Sequence, residues 1–518
     1  MLDRLGETGV DAMKYIASFD IGTTSAKGIL VSEHATIHEE TTISLRTEYG
    51  QEGEVQTIEQ DPDQWYEAVV AIAQSWWASG INPADVQLIA MSGQMQDCIP
   101  IDGMGNPVRP AILYTDVRAG QQAGRIAAEL GEDKIRQVTG NHMDGSLTFP
   151  KILWLMEQER AGYEKTASFL ISSKDYVIRK LTGRNVADPT TGATSGAMDL
   201  STRQWSEVWF HQFGLDSGKM PELLSTDSIA GHVLPEAAAA TGFAVHTPVL
   251  CGIGDAGATT IGAGVTEPGD VYAYLGTSGW VAATTDQVGF IGGGGFHLAH
   301  VASGLLIAIT PLSNAGSAHK WALSVFGGRG AEGEADEAAA FTELEQEMAA
   351  CDRSHSSAVF LPYLNGERCP VNDPLANGCF IGLTSRTTRA EMSCAVLEGV
   401  AMAMRQVMEL LSVSNRSNRL VLIGGGTKSR VWNQIFADIT GMEVIVPQEA
   451  QFLPALGCAA AGFIRLGWSE SYEQFARTRL ASQPFDRYVP DKGLSQMYQK
   501  KYERYLMLYP ALQDVFHR

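Results

Sequence analysis

The chain has 518 residues and a formal net charge of −21, with hydrophobic residues at 45% and charged residues at 19%. That length is about three times an ordinary domain, so two or more domains are expected. The negative balance argues against a broad nucleic-acid surface but leaves room for a nucleotide, which needs only a local nest of N–H groups, a lysine and a metal ion. The seven cysteines (Cys98, Cys251, Cys351, Cys369, Cys379, Cys394 and Cys458) form no C-x-x-C pair. An odd, scattered set reads as reduced and intracellular, neither a disulfide framework nor a zinc site. No apolar leader opens the chain and no run approaches transmembrane length, so a cytoplasmic protein without membrane contact is expected.

In chain order, residues 14–20, 27–32 and 36–43 predict three successive strands, an antiparallel meander that opens a mixed sheet. Residues 62–79 predict a helix, and 86–92 a strand ending at Ser92-Gly93-Gln94. A helical block over 119–130 leads to the helical Thr148-Phe149-Pro150-Lys151-Ile152-Leu153-Trp154-Leu155. A strand over 247–252 delivers Asp255 at its carboxyl end. The turn-rich Thr266-Glu267-Pro268-Gly269-Asp270 is a hinge candidate, after which the pattern restarts with a strand over 271–275. The acidic, alanine-rich 331–350 predicts an exposed loop and then a helix; further helices are expected over 391–411 and 431–440, with an amphipathic closing helix over 496–517. Strand–loop–helix alternation occurring twice predicts an α/β duplication, divided as residues 1–264 and 265–518, with ligand held between the halves.

Three glycine-bearing turns follow short apolar strands: Asp20-Ile21-Gly22-Thr23-Thr24-Ser25-Ala26-Lys27, Gly276-Thr277-Ser278-Gly279 and Gly424-Gly425-Gly426. A buried strand that turns sharply exposes backbone N–H groups and hydroxyls, which suit phosphate oxygens. One such turn is weak; two alike in separate halves, with a third, indicate a nucleotide. Gly252-Ile253-Gly254-Asp255-Ala256-Gly257 matches G-x-G-x-x-G by count, but no acidic residue ends a second strand at the required distance. No G-x-x-x-x-G-K-[ST] occurs, so the P-loop reading fails.

Two long patterns carry a resemblance. Ser146-x-Thr148-x-x-Lys151-Ile152-x-Trp154-Leu155-x-Glu157-Gln158 is one; Gly378-x-Phe380-x-Gly382-Leu383 followed by Glu391-Met392-x-x-Ala395-Val396-Leu397-Glu398 is the other. Both resemble the signatures of the FGGY sugar kinases, within the actin/Hsp70/hexokinase-like superfamily, and the resemblance covers nearly the whole chain. It implies an α/β fold of two ribonuclease-H-like (actin/hexokinase-type) domains with a cleft between them, the first holding sugar and the second nucleotide. Within the family the nearest likeness is to xylulose kinases, on Ser92-Gly93-Gln94-Met95-Gln96, Arg109-Pro110-Ala111-Ile112-Leu113-Tyr114, Lys174-Asp175-Tyr176 and Phe360-Leu361-Pro362-Tyr363-Leu364-Asn365-Gly366-Glu367-Arg368. Three positions depart from that pattern: Gln96 for a usual His, Ala256 for a usual Asn, and Tyr114-Thr115-Asp116 for Trp-Asn-Asp, with Arg118 retained. All three lie at the implied sugar site.

By this resemblance Asp255 is the general base that accepts the proton of a sugar hydroxyl; read from the residues alone it would be a turn aspartate capping the next helix. Met95, Gln96 and Asp116 are implied sugar contacts beside Asp255. Asp20 is the implied holder of Mg²⁺, with Thr23, Thr24 and Lys27 toward the terminal phosphate of ATP. Gly276 and Thr277 form the opposing phosphate loop. Gly424, Gly425 and Gly426 let the adenosine lie against backbone, with Lys428 and Asn433 nearby and Asn314 as a further nucleotide-loop residue. Trp65 and Trp154 are either stacking platforms or core, with core the commoner fate. Lys151 reads as an exposed or salt-bridged lysine, and the eleven histidines show no metal-ligand spacing. The implied reaction is ATP-dependent phosphorylation of a terminal hydroxyl of a ketopentose, D-xylulose first, in a protein whose relatives are commonly homodimers. L-ribulose, gluconate and erythritol are the rival acceptors; a non-enzymatic nucleotide switch and a silent sugar sensor are the rivals of another class.

Overall fold

The computed structural model describes residues 13–52, 55–289, 294–326, 334–411, 418–482 and 484–518. The chain separates into two compact units, Met1–Gly264 with Phe452–Gln483, and Val265–Gln451 with Pro484–Arg518. The late segment Phe452–Gln483 therefore belongs with the first unit, whereas a linear division of the sequence assigns it to the second. The cause is local packing. Helix Leu453–Arg465 is rich in Ala and Gly, and such small residues let it lie close against helix Asp255–Gly262 and the strand Tyr15–Ile21. Ser18 Oγ donates to the Ala455 carbonyl at 2.5 Å, sealing that contact.

The sheet of the first unit runs in the order Ile229–His232, Pro248–Leu250, Val86–Gly93, Tyr15–Ile21, Ser25–Ser32, Ile37–Ser44. Tyr15–Ile21 pairs parallel with Val86–Gly93 and antiparallel with Ser25–Ser32, and is buried along its whole length. The edge strand Ile37–Ser44 alternates between half-buried and exposed positions, as a solvent-facing edge should. Helix Asp63–Ala78 covers one face with Trp65, Val69, Ile72 and Trp76.

In the second unit the order is Phe296–Ala299, Leu306–Leu312, Gly279–Thr285, Val271–Leu275, Arg419–Ile423, Glu443–Pro447, Phe485–Tyr488. The two sheets share a scheme. In each, an antiparallel pair is joined by a tight turn (Tyr15–Ile21 with Ser25–Ser32; Val271–Leu275 with Gly279–Thr285), and the first strand of the pair accepts a parallel neighbour on its other side. This is the predicted duplication. Helix Arg389–Leu410 runs through the second core, and its start is fixed by a capping box between Thr388 and Glu391.

Some local expectations shift. The strand expected over 247–252 is two short pieces, Pro248–Leu250 and Ile253–Gly254, and Asp255 opens a helix. The closing helix is two helices, Lys492–Leu506 and Leu508–Phe516. The helix expected in 331–350 spans Glu334–Ala350, and residues 331–333 lie outside the described residues. Among the described residues no helix is long and apolar enough to cross a membrane.

Candidate active site

The first hairpin turn is held from beneath by two glutamines. Gln94 Oε1 accepts the Thr23 hydroxyl at 2.7 Å, Gln60 Nε2 donates to the Thr23 carbonyl at 2.7 Å, and Gln94 Nε2 donates to Gln60 Oε1 at 3.1 Å. Trp65 Nε1 donates to the same Gln60 oxygen, so Trp65 is fully buried core. Thr23 is half-buried and Thr24 exposed. Asp20 lies below them, 7% exposed, with one carboxylate oxygen accepting the Ser92 hydroxyl at 3.0 Å. Burial raises its pKa, partly offset by Lys27, its partner across the hairpin, and by Ser92.

Asp255 is the first residue of its helix, and its Oδ1 accepts the Ala256 N–H at 2.7 Å. Part of the side chain remains solvent-accessible. The protein packed around it nonetheless lifts its pKa to about 7, with the charges of Asp20 and Asp188 adding to burial. Met95 packs directly against Gly254, so the structure brings Met95, Asp20 and Asp255 together.

Gln96 follows in the left-handed region at φ 70°, rare for a side-chain-bearing residue and a mark of imposed geometry. Two bonds impose it: Gln96 Nε2 donates to Ser146 Oγ at 2.7 Å, and Lys151 Nζ donates to the Gln96 carbonyl at 3.1 Å. Lys151 is therefore not an exposed lysine. It is fully buried, also donates to the Leu113 carbonyl at 2.7 Å, and burial brings its pKa down to about 8 despite the nearby Asp97.

Asp116 is fully buried and already engaged. It accepts Arg118 Nε at 2.9 Å and Nη2 at 2.6 Å, together with the Ile58 N–H at 2.7 Å. Burial alone would raise its pKa; the Arg118 and backbone hydrogen bonds outweigh it and hold the carboxyl low. Its geometry aims Arg118, whose guanidinium lies 5.0 Å from the Trp154 ring centre and also pairs with Glu59 at 2.7 Å. Trp154 is 6% exposed.

In the second unit, Gly276, Thr277, Gly425 and Gly426 line one cavity of about 570 Å³, together with Lys320, Lys428, His319, Phe341 and Trp432. Gly316 N–H donates to the Gly276 carbonyl at 2.7 Å and Ser317 N–H to the Thr277 carbonyl at 3.0 Å, which leaves the outer face of that turn open. Gly424 sits at φ 99°, where a Cβ would come within 2.6 Å of the Leu275 carbonyl oxygen, so the two turns meet at backbone distance. Asn433 and Asn314 are not in the cavity wall. Asn433 Nδ2 holds the Thr427 carbonyl at 2.8 Å, bracing the glycine turn from below; Asn314 Nδ2 donates to the Gly366 carbonyl at 2.8 Å.

The family model of the FGGY carbohydrate kinases, N-terminal domain, matches residues 15–262, and that of the C-terminal domain matches 271–466. The chain is 30% identical to the xylulose kinase of Escherichia coli (strain K12) over 95% of this chain and 98% of that one. This chain belongs to the FGGY family of carbohydrate kinases. The kinase is also similar to a gluconokinase of Bacillus subtilis (strain 168), 26% identical over 89% of each chain. Among solved structures, the xylulose kinase from Rhodospirillum rubrum aligns with a TM-score of 0.86 at 27% identity, covering 98% of this chain and all of that one. Membership makes this an enzyme that phosphorylates a carbohydrate, and the nucleotide-switch reading is set aside.

Several residues near these two places were not singled out from the sequence, Gln60 and Asp188 in the first unit and His319, Lys320 and Phe341 in the second, and Lys174 was read only as part of a motif. Asp188 carried a local signal, an Asp followed by Pro at the start of a helical turn. His319, Lys320 and Phe341 lie in ordinary helical stretches and gave none.

Proposed function

We propose that the kinase transfers the terminal phosphoryl group of ATP to a terminal hydroxyl of a neutral ketopentose, D-xylulose first, with Asp255 as the general base. The observation that carries this reading is Asp255 itself: a carboxylate beside Met95 whose pKa near 7 suits it to take a hydroxyl proton at neutral pH. The hydroxyl oxygen then attacks the γ-phosphorus, the bond from that phosphorus to the bridging oxygen breaks, and ADP leaves. Gln96, fixed through its Nε2, retains an amide oxygen for a sugar hydroxyl. Asp116 acts through Arg118, since its own oxygens are occupied.

Charge supports a neutral acceptor over an aldonate. Among the described residues around Asp255, Arg118 is committed to Asp116 and Glu59, Lys174 to Asp175 and Asp188, and Lys151 to two carbonyls. Lys27 faces Asp20. A gluconate that presented its terminal hydroxyl to Asp255 would carry its carboxylate at the other end of the chain, where Arg118 and Lys151 are already committed to other partners. The higher identity to the Escherichia coli xylulose kinase than to the Bacillus subtilis gluconokinase leans the same way.

ATP belongs to the cavity of the second unit. The turns at Gly276–Thr277 and Gly425–Gly426 offer N–H groups to phosphates, Lys320 and Lys428 offer charge, and His319, Phe341 and Trp432 form an aromatic wall suited to a base. For Mg²⁺ the fit rests on Asp20, a hard-oxygen carboxylate with one oxygen committed to Ser92. No cluster of three ligating side chains occurs among the described residues, so the ion would draw most of its ligands from phosphate oxygens and water, its usual habit. When bound it neutralises phosphate charge.

A coupled ADP-release assay across D-xylulose, L-ribulose, D-gluconate and erythritol tests the acceptor. D-xylulose is expected to have the highest kcat/KM, with gluconate lower by at least ~10-fold, a difference of about 1.4 kcal/mol in transition-state binding. Faster turnover of gluconate or erythritol would reject the assignment.

A further inference from the structure

Two main-chain groups of the stretch Cys251-Gly252-Ile253-Gly254, which delivers Asp255, are held by a single buried ion pair. Lys174 Nζ donates to the Cys251 carbonyl at 3.2 Å, and Asp188 Oδ1 accepts the Gly254 N–H at 3.4 Å. Lys174 Nζ and Asp188 Oδ2 meet at 3.0 Å, and neither residue has any exposed surface. The same Asp188 carboxylate caps the turn Pro189–Gly192, accepting the Thr190 N–H at 3.0 Å, the Thr191 N–H at 3.2 Å and the Thr191 hydroxyl at 2.6 Å. Gly254 is wedged into this assembly: a Cβ there would meet Met95 Sδ, and Thr191 Oγ1 at 2.6 Å.

Charge counting shows that stability alone does not account for the arrangement. Lys174 is already paired with Asp175 at 2.6 Å, so Asp188 adds a second carboxylate to one buried ammonium. Buried ion pairs are weak sources of stability, because desolvation offsets their attraction. Their yield is geometry, and here the second carboxylate reaches the residue immediately before Asp255.

We propose that Lys174 and Asp188 are positioning residues, a two-point clamp on Cys251 and Gly254 that sets the carboxylate of Asp255 against the sugar hydroxyl. The clamp rests on Asp255 being the base, and a four-enzyme cycle separates the two claims. Asp188→Asn keeps an oxygen for the N–H groups and leaves Lys174 paired with Asp175, but removes the charge that ties them. In the wild-type background it is expected to lower kcat by about 10- to 100-fold, the scale of a misplacement near 1 Å. The KM for ATP and the dissociation constant for D-xylulose by calorimetry are expected to stay at wild-type values.

In an Asp255→Asn background the same substitution is expected to change residual turnover by less than about twofold, because no base remains to misplace. Thr191→Val, which spares the ion pair and removes only the hydroxyl bond to Asp188, serves if Asp188→Asn fails to fold; a loss of about threefold that vanishes in the Asp255→Asn background is expected. Equal losses in both backgrounds, or an unchanged kcat in the wild-type background, overturn the clamp. Wild-type turnover in Asp255→Asn alone would overturn the base assignment instead.

Discussion

The two units build comparable turns on comparable sheets and stiffen them in opposite ways. The turn after Tyr15–Ile21 is fastened by side chains: Gln60 and Gln94 hold Thr23, and the buried carboxylate of Asp20 beside it lies, with that of Asp188, within electrostatic reach of the partly exposed Asp255. The turn after Val271–Leu275 is fastened by main chain, through Gly316 and Ser317 N–H groups, beside a cavity of about 570 Å³ whose lysines lie at the surface. Buried charge suits bond-making, where protonation and sub-ångström placement matter. Main-chain donors around an open cavity suit binding, where a large ligand must enter and leave. Side-chain changes in the first unit should therefore act on kcat, and backbone changes in the second on nucleotide affinity.

The contrast is tested hardest by Asp255→Asn, expected to lower kcat by at least ~100-fold while ATP binding by calorimetry is unchanged, since general-base contributions run at 10²–10⁴. Its pH dependence comes next. Burial and the charges of Asp20 and Asp188 put the Asp255 pKa near 7, and the base must be ionised. The kcat/KM for sugar should fall about tenfold per pH unit below pH 7 and level off above it. An acid limb near pH 4 would mean that the Asp255 carboxyl is not raised, or that another carboxylate is the base.

In the second unit, Gly424→Ala forces a methyl group into the left-handed region against the Leu275 carbonyl. The dissociation constant for ATP should rise about tenfold, from roughly 1–2 kcal/mol of strain, with D-xylulose affinity unchanged. Lys428→Met should weaken ATP by about fivefold, the worth of one exposed charge near a phosphate, and less in high salt. A kcat effect from either variant larger than its effect on ATP affinity would break the comparison.

The smallest expected effect concerns stability. Because the folded-state pKa of Asp255 lies above that of a free carboxyl, ionisation burdens the native state. The wild-type protein carries that burden fully above pH 7 and sheds it on acidification. Asp255→Asn should therefore melt about 2–4 °C above wild type at pH 8, with the difference shrinking toward pH 5.

How much of this was legible in the sequence differs between the units. The glycine turns were, because glycine next to a short apolar strand has few other uses. Gly276, Thr277, Gly425 and Gly426 indeed line one cavity. The neighbours of that cavity were not: His319 and Phe341 sit on separate helices, and only the folded chain sets them 5.5 Å apart. Asp116 and Lys151 show what residue type alone leaves out. The resemblance implied a sugar contact for Asp116 and the sequence read Lys151 as an exposed or salt-bridged lysine; in the structure both are buried, the first bracing Arg118 and the second donating to the Gln96 carbonyl.

By itself the sequence determined the α/β duplication, the strand-turn positions and the kinase family, because periodicity, glycine placement and long motifs are written in neighbouring residues. Only the tertiary structure decided that Phe452–Gln483 joins the first unit, that Lys174 and Asp188 meet beneath Gly254, and that the Asp255 carboxyl titrates near neutrality. Those three outcomes depend on desolvation and contacts between residues far apart in the chain, and such quantities have no value until the chain is folded.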